Sequence, residues 1–275
     1  MKIGVVGLGL MGGSLARALK KYTSHTVCGV DTDPKTLKAA YDAGAIDCDS
    51  DVSGCDIVFV CLFPQDSIDY MLHTEFKKNA VIADICGVKR AIEEQVAEPL
   101  FKRGLRYVGT HPMAGKETGG FLSSETGLFQ GASFIITIAG HTDQQAKSEL
   151  AALAKQIGFT RVTECSARKH DEVIGYTSQL AHIVSNAYVK SKSALDFKGF
   201  SAGSFMDLTR VAKLNPQMWT ELFLLNGDIL ADEIDELIDN ISVLRDAIRA
   251  GDAKTLRALL KDGSDRKELL NRDVK

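Results

Sequence analysis

Three glycines in the run Gly7-Leu8-Gly9-Leu10-Met11-Gly12 have the spacing that holds a phosphate against bare backbone. Alone, a G-x-G-x-x-G run says little. Here an apolar stretch at 3–6 precedes it and a helix-forming stretch at 14–21 follows it. Asp31 stands 19 residues beyond Gly12, at the end of a second apolar stretch. Together these features point to a dinucleotide. Gly7 makes the tight turn, Gly9 admits the pyrophosphate, and Gly12 lets helix and strand pack closely. Leu10 and Met11 open the helix, whose first N–H groups and positive dipole end face the phosphates. Asp31 then accepts hydrogen bonds from the adenine ribose hydroxyls. Its charge repels a 2′-phosphate, and no arginine follows it in Thr32-Asp33-Pro34, so NAD is expected over NADP. The alternative is a glycine turn in a flavodoxin-like sheet that binds nothing.

The second chemical segment is Gly109-Thr110-His111-Pro112-Met113-Ala114-Gly115-Lys116-Glu117-Thr118-Gly119. His111 is expected just past the carboxyl end of a strand, where open α/β sheets place ligands. A neutral imidazole there can take a proton from an alcohol being oxidised. Pro112 fixes the backbone after it, and the glycines allow a loop close over a nicotinamide. The plainer alternative is a strand-end histidine bonded to a neighbouring carbonyl.

These residues need a scaffold. Up to about residue 165, short apolar runs alternate with helical stretches, the pattern of βαβ units. Strands are expected at 3–6, 26–30, 56–62, 80–85, 107–110, 133–138 and 161–164. Ile57-Val58-Phe59-Val60 is apolar without alternation, as in a strand covered on both faces. Beyond residue 166 the strand pattern stops. One long helix is expected over 168–192. A second starts at the Asn215-Pro216 cap and runs to Gly251, roughly 50 Å at 1.5 Å per residue. A shorter helix is expected over 253–261. Leu230, Ile234, Leu237, Ile241, Leu244 and Ile248 repeat by four and three, which makes a seam for helix packing, with a dimer favoured by its length. The acids beside it, Asp232, Glu233, Asp235, Glu236 and Asp239, read as a solvated face and not as a metal site. The expected fold is α/β: an N-terminal Rossmann dinucleotide-binding domain over 1–165 and an all-helical C-terminal domain over 166–275.

Composition narrows the classes. The chain has 275 residues and a formal charge of −3, with no basic stripe for nucleic acid and no polybasic cluster for a membrane. No apolar run reaches the roughly 20 residues of a membrane helix, and the start enters a folded motif without the features of a signal peptide. The cysteines at 28, 48, 55, 61, 86 and 165 form no C-x-x-C pair. A reduced, cytoplasmic protein without structural metal is expected.

The glycine loop with Asp31, then HPMAGKETG at 111–119, SQLAH at 178–182 and DLTRVAKLNPQMW at 207–219, resembles the prephenate/arogenate dehydrogenase family over nearly the whole chain. That resemblance implies NAD-dependent oxidation of prephenate at its ring hydroxyl, with loss of the ring carboxylate as carbon dioxide. The product would be 4-hydroxyphenylpyruvate, a tyrosine precursor. His111 would be the base and Arg210 the anchor for a substrate carboxylate, since a guanidinium fork matches a carboxylate in two parallel bonds. The plainer role for Arg210 is a surface ion pair with Asp207. Ser178 and His182, spaced i, i+4 on one helix face, would line the substrate pocket, and Trp219 would wall it. Lys89 would lie near the nicotinamide, and His170-Asp171 matches a His-Asp pair of the family. The plainer readings are ordinary helix-surface residues for Ser178, His182 and Lys89, and a core tryptophan.

Several positions depart from the family pattern. Gly87 replaces a usual serine, Gln179 and Ala181 replace histidine and proline, and Met206 replaces a cation. These changes bear on the choice between prephenate and arogenate. No appended mutase or regulatory domain is expected. Two rivals stand beside this reading: a β-hydroxyacid or imine-type dehydrogenase on the same architecture, and an NAD sensor without chemistry. The first would place a catalytic lysine on the first long C-terminal helix, where Lys190 and Lys192 have no supporting surroundings. The second would need neither His111 nor Arg210.

Overall fold

A computed structural model describes residues 1–49 and 51–272. Seven strands form one sheet: β1 (Lys2–Val6), β2 (Thr26–Val30), β3 (Ile57–Val60), β4 (Val81–Asp84), β5 (Arg106–Met113), β6 (Ser133–Thr137) and β7 (Arg161–Cys165). Their order is β2-β1-β3-β4-β5-β6-β7. All neighbours are parallel except β5 and β6. The chain reverses direction across the sheet at β1, so a crevice lies beyond the carboxyl ends of β1 and β3.

The helices are α1 (Leu10–Tyr22), α2 (Pro34–Asp42), α3 (Pro64–His73), α4 (Arg90–Lys102), α5 (Gln144–Gln156), α6 (Ala167–Ile174), α7 (Ala181–Tyr188), α8 (Gly203–Thr209), α9 (Pro216–Leu225), α10 (Gly227–Ala250) and α11 (Ala253–Arg272). Sheet residues alternate between two cores. Ile57 and Phe59 pack with Leu15 and Leu19 of α1 and Leu150 of α5. Val58 and Val60 pack with Ile68 of α3, Ile92 of α4 and Leu222 of α9. Burial on both faces is why β3 reads as an unbroken apolar run. Residues Met1–Gly227 make one compact unit and Asp228–Lys275 a second.

The helix expected over 253–261 runs on to Arg272 as α11, and four further expectations change. First, β5 does not stop at residue 110. Thr110–Met113 pairs antiparallel with β6, and His111 stands opposite Ile135. Second, the helix expected over 168–192 is interrupted by a π-helical turn at Gly175–Leu180 and closes at Tyr188. Third, the helix from Asn215 breaks at Asn226. Its amide donates to the Asp171 carbonyl (3.1 Å) and to Gln179 Oε1 (2.7 Å), bonds to groups outside its own helix. Gly251, with φ +63°, is the stop that was expected. Fourth, the thiols are not all free. Residues 47–48 lie alongside β2, Gly29 N–H donating to Cys48 O at 2.8 Å, and Cys28 and Cys48 are joined in a disulfide. Cys55, Cys61, Cys86 and Cys165 remain thiols. Among the described residues no helix is long and apolar enough to cross a membrane.

Close packing at the first turn decides one glycine. A Cβ on Gly12 would sit 1.9 Å from Gly7 O, whereas one on Gly9 would meet nothing within 4 Å. Gly12→Ala should cost about 1–3 kcal/mol of stability, read as a fall in Tm well beyond that of Gly9→Ala. Equal Tm values for the two variants would overturn this packing account.

Candidate active site

The glycine loop turns at Gly7, whose φ is +83°, and delivers the chain to α1 with Gly9 as its N-cap. No side chain caps this end and no acid lies in its first turn, so nothing from the chain competes for the leading N–H groups of Leu10 and Met11. Asp31, at the end of β2, accepts from Leu8 N–H at 2.7 Å and from Asp33 N–H at 2.9 Å. It therefore stands directly beside the loop. Asp33 adds a second carboxylate to the same turn, as the N-cap of α2. The open space over Gly9, the uncapped helix end and the ribose-distance acid suit a dinucleotide.

His111 projects from β5 and is partly exposed. Its Nδ1 lies 2.8 Å from Nε2 of His170, and Nδ1 of His170 lies 2.7 Å from Oδ1 of Asp171. His170 and Asp171 are buried in α6. Asp171 also receives Lys89 N–H on Oδ1 at 2.8 Å and Arg90 N–H on Oδ2 at 2.9 Å, at the start of α4. Burial, His170 and Lys89 hold the His111 pKa well below the ordinary histidine value. Burial also lowers His170, against the pull of its bond to Asp171. Both rings are therefore neutral near pH 7. A Cβ on Gly87 would lie 3.9 Å from Cε1 and Nε2 of His111, so Gly87 stands beside that edge of the ring.

Arg210 follows α8, is exposed, and donates to Glu117 Oε1 at 3.1 Å. Its partner thus comes from the loop after His111 and not from Asp207. His182 is held by the carbonyl of Ser178 (2.8 Å) and lies against Trp219, ring centroids 4.1 Å apart. His182 and Trp219 therefore pack together, with the carbonyl of Ser178, on the π-helical turn, holding the His182 ring. Such turns recur at functional sites.

Lys89 directly precedes α4. It is fully buried, its ammonium paired with Asp84, which also accepts from the Tyr107 hydroxyl at 2.8 Å. Sequence reading missed Asp84, Tyr107, Glu117 and Asn226, and gave Gln179 no role. The one local sign was polarity at places the apolar pattern reserves for the core, as in Val81-Ile82-Ala83-Asp84.

Two family models cover this architecture. The prephenate dehydrogenase nucleotide-binding domain matches residues 15–163, and the prephenate dehydrogenase dimerization domain matches 166–262. The chain belongs to the prephenate dehydrogenase family. A family member from Bacillus subtilis, a prephenate dehydrogenase, is 32% identical over 95% of this chain and 74% of its own. A cyclohexadienyl dehydrogenase from Zymomonas mobilis is 29% identical over 98% and 96%. The prephenate dehydrogenase of A. aeolicus, solved with hydroxyphenyl propionate and NAD+, superposes with a TM-score of 0.87 at 27% identity, covering 98% of each chain.

Within this family fold, the burial of Lys89 leads to a stability test. Removing one partner of a buried ion pair leaves an uncompensated charge, at about 3–5 kcal/mol. Lys89→Met should lower Tm strongly, and the added change Asp84→Asn should recover part of the loss. A Lys89→Met protein of normal Tm but weakened NAD binding would return Lys89 to the cofactor.

Proposed function

We propose that the protein is an NAD-dependent prephenate dehydrogenase, which converts prephenate to 4-hydroxyphenylpyruvate and carbon dioxide. The observation that carries this reading is the neutral His111, in a loop whose Glu117 reaches Arg210. The homology to prephenate and cyclohexadienyl dehydrogenases and the fit of the glycine loop to a dinucleotide support it. Bound NAD supplies the hydride acceptor.

In this reading the backbone of Gly7, Gly9, Leu10, Met11 and Gly12 cradles the pyrophosphate, and Asp31 receives the ribose hydroxyls. The carboxylates of Asp31 and Asp33 exclude a 2′-phosphate by repulsion. His111 accepts the proton of the ring hydroxyl as the carbinol carbon loses its hydride. No further base is needed, because loss of carbon dioxide makes the ring aromatic. Arg210 exchanges Glu117 for a substrate carboxylate, with Ser178, His182 and Trp219 lining the space around it. Residues 1–165 form the cofactor domain and 166–275 the substrate and dimerisation domain. Ile241 and Ile248 of the α10 seam are exposed in the single chain, as a homodimer through the C-terminal helices requires. A cytoplasmic enzyme is the corresponding location. Arogenate is the alternative substrate, favoured by exposed Met206 where a cation is usual.

The deciding assay follows NADH absorbance with prephenate or arogenate and with NAD or NADP. Prephenate with NAD should give the highest kcat/KM. His111→Asn should cut turnover by about 10²–10⁴-fold with NAD affinity nearly intact. Arg210→Gln should act mainly on the substrate KM, and Asp31→Ser should narrow the gap between NAD and NADP. A folded, NAD-binding protein inert toward both substrates would leave the sensor reading standing.

A further inference from the structure

We infer that His170 and Asp171 are positioning residues that preset the tautomer of His111 and share the charge it acquires. The inference rests on the dehydrogenase reading above and adds to it how the base is prepared.

The deduction starts from donors whose protons are fixed. Backbone N–H groups of Lys89 and Arg90 point at Oδ1 and Oδ2 of Asp171, at 2.8 and 2.9 Å. Both oxygens are therefore acceptors, and the start of α4 favours the ionised carboxylate. Nδ1 of His170, 2.7 Å from Oδ1, must then carry a proton, because two lone pairs at that distance repel. A neutral His170 has its lone pair on Nε2. That nitrogen lies 2.8 Å from Nδ1 of His111, so Nδ1 of His111 is the protonated one. The remaining nitrogen, Nε2 of His111, is left with a lone pair on the edge beside Gly87. One carboxylate, oriented by backbone, thus selects the tautomer two rings away.

The same chain of bonds accommodates the reaction's proton. The substrate hydroxyl gives its proton to Nε2 of His111 as the carbinol oxygen becomes a carbonyl. The Nδ1 proton of His111 can shift to Nε2 of His170, which places the positive charge next to Asp171. When carbon dioxide leaves, its bonding electrons enter the ring and the oxygen regains a proton as a phenol. The two shifts reverse, and the protein ends neutral as it began. Asn226 and Gln179 support the arrangement from the far side, through the bonds to the Asp171 carbonyl and between their amides.

The charged and titratable groups around His170 are His111 on β5, Asp84 on β4, Lys89 before α4 and Asp171 on α6 itself. The neutral pair is kept below the ordinary histidine value, so the acid limb of kcat/KM for the native enzyme should lie below pH 6.5. Neutral His170, backed by the Asp171 carboxylate, accepts from Nδ1–H of His111 and shares its charge, which favours the protonated ring, so its removal should move the acid limb further downward.

The test compares His170→Ala and His170→Gln in the full-length protein with prephenate and NAD. The alanine variant should lose about 10–100-fold in kcat, with NAD affinity and substrate KM within about twofold, and its acid limb should fall. Glutamine offers an amide oxygen to Nδ1–H of His111 but cannot be protonated. It should recover most of kcat while keeping the lowered limb. In ¹⁵N-histidine spectra of the native protein, Nε2 of His111 should be the unprotonated nitrogen. If the alanine variant fails to fold, the limb of the glutamine variant and the ¹⁵N assignment decide. Unchanged kcat and limb in either folded variant, or a protonated Nε2, would overturn the inference and leave the dehydrogenase reading intact. A native enzyme inert toward prephenate and arogenate would instead remove the reading itself.

Discussion

The carboxylate of Asp171 is the point on which the site depends. It takes two backbone N–H groups from the start of α4 and the ring N–H of His170, while its own carbonyl is held by Asn226. Charge-assisted bonds of this kind in a buried setting are strong and directional. They tie α4, which follows the central strand β4, to α6 and α9, which follow the sheet in sequence. The imidazole of His111 is thereby referenced to elements from both parts of the chain. Loss of this carboxylate would leave backbone donors unpaired as well as freeing a ring.

Behind that layer lies a second polar group of a different kind. Lys89, Asp84 and Tyr107 are buried together, Asp84 at the carboxyl end of β4 and Tyr107 near the start of β5. Two opposite charges and a hydroxyl satisfy one another there, and Thr110 donates to the Asp84 carbonyl at 2.6 Å. A buried pair adds little net stability compared with apolar packing, but it penalises any arrangement that separates the partners. The Lys89 ammonium also contributes to keeping both histidines neutral.

The Glu117–Arg210 pair contrasts with these. Both side chains are more than half exposed, so water screens their attraction and the contact is weak. In the proposed reading, such a weak, accessible pair suits a cation that exchanges one carboxylate for another, while the buried bonds behind His111 suit a base held in place.

Much of the architecture was legible in the chain. The glycine loop and the His111 loop are contiguous motifs, and the roles proposed for them and for Asp31 were read from spacing over short stretches of chain. The seven strands follow from apolar runs, because burial on two faces demands such residues whatever lies next to them. Partner choice among polar groups has no such local rule. His111 meets His170 across 59 positions, and Arg210 meets Glu117 across 93. The burial of Lys89, the break at Asn226 and the pairing of Cys28 with Cys48 likewise depend on strand register and helix packing. The chain alone therefore determined which backbone could hold a dinucleotide and which ring could act as a base. Only the tertiary structure decided which nitrogen of that ring is free, because through-space distances between buried donors and acceptors leave no period in a sequence.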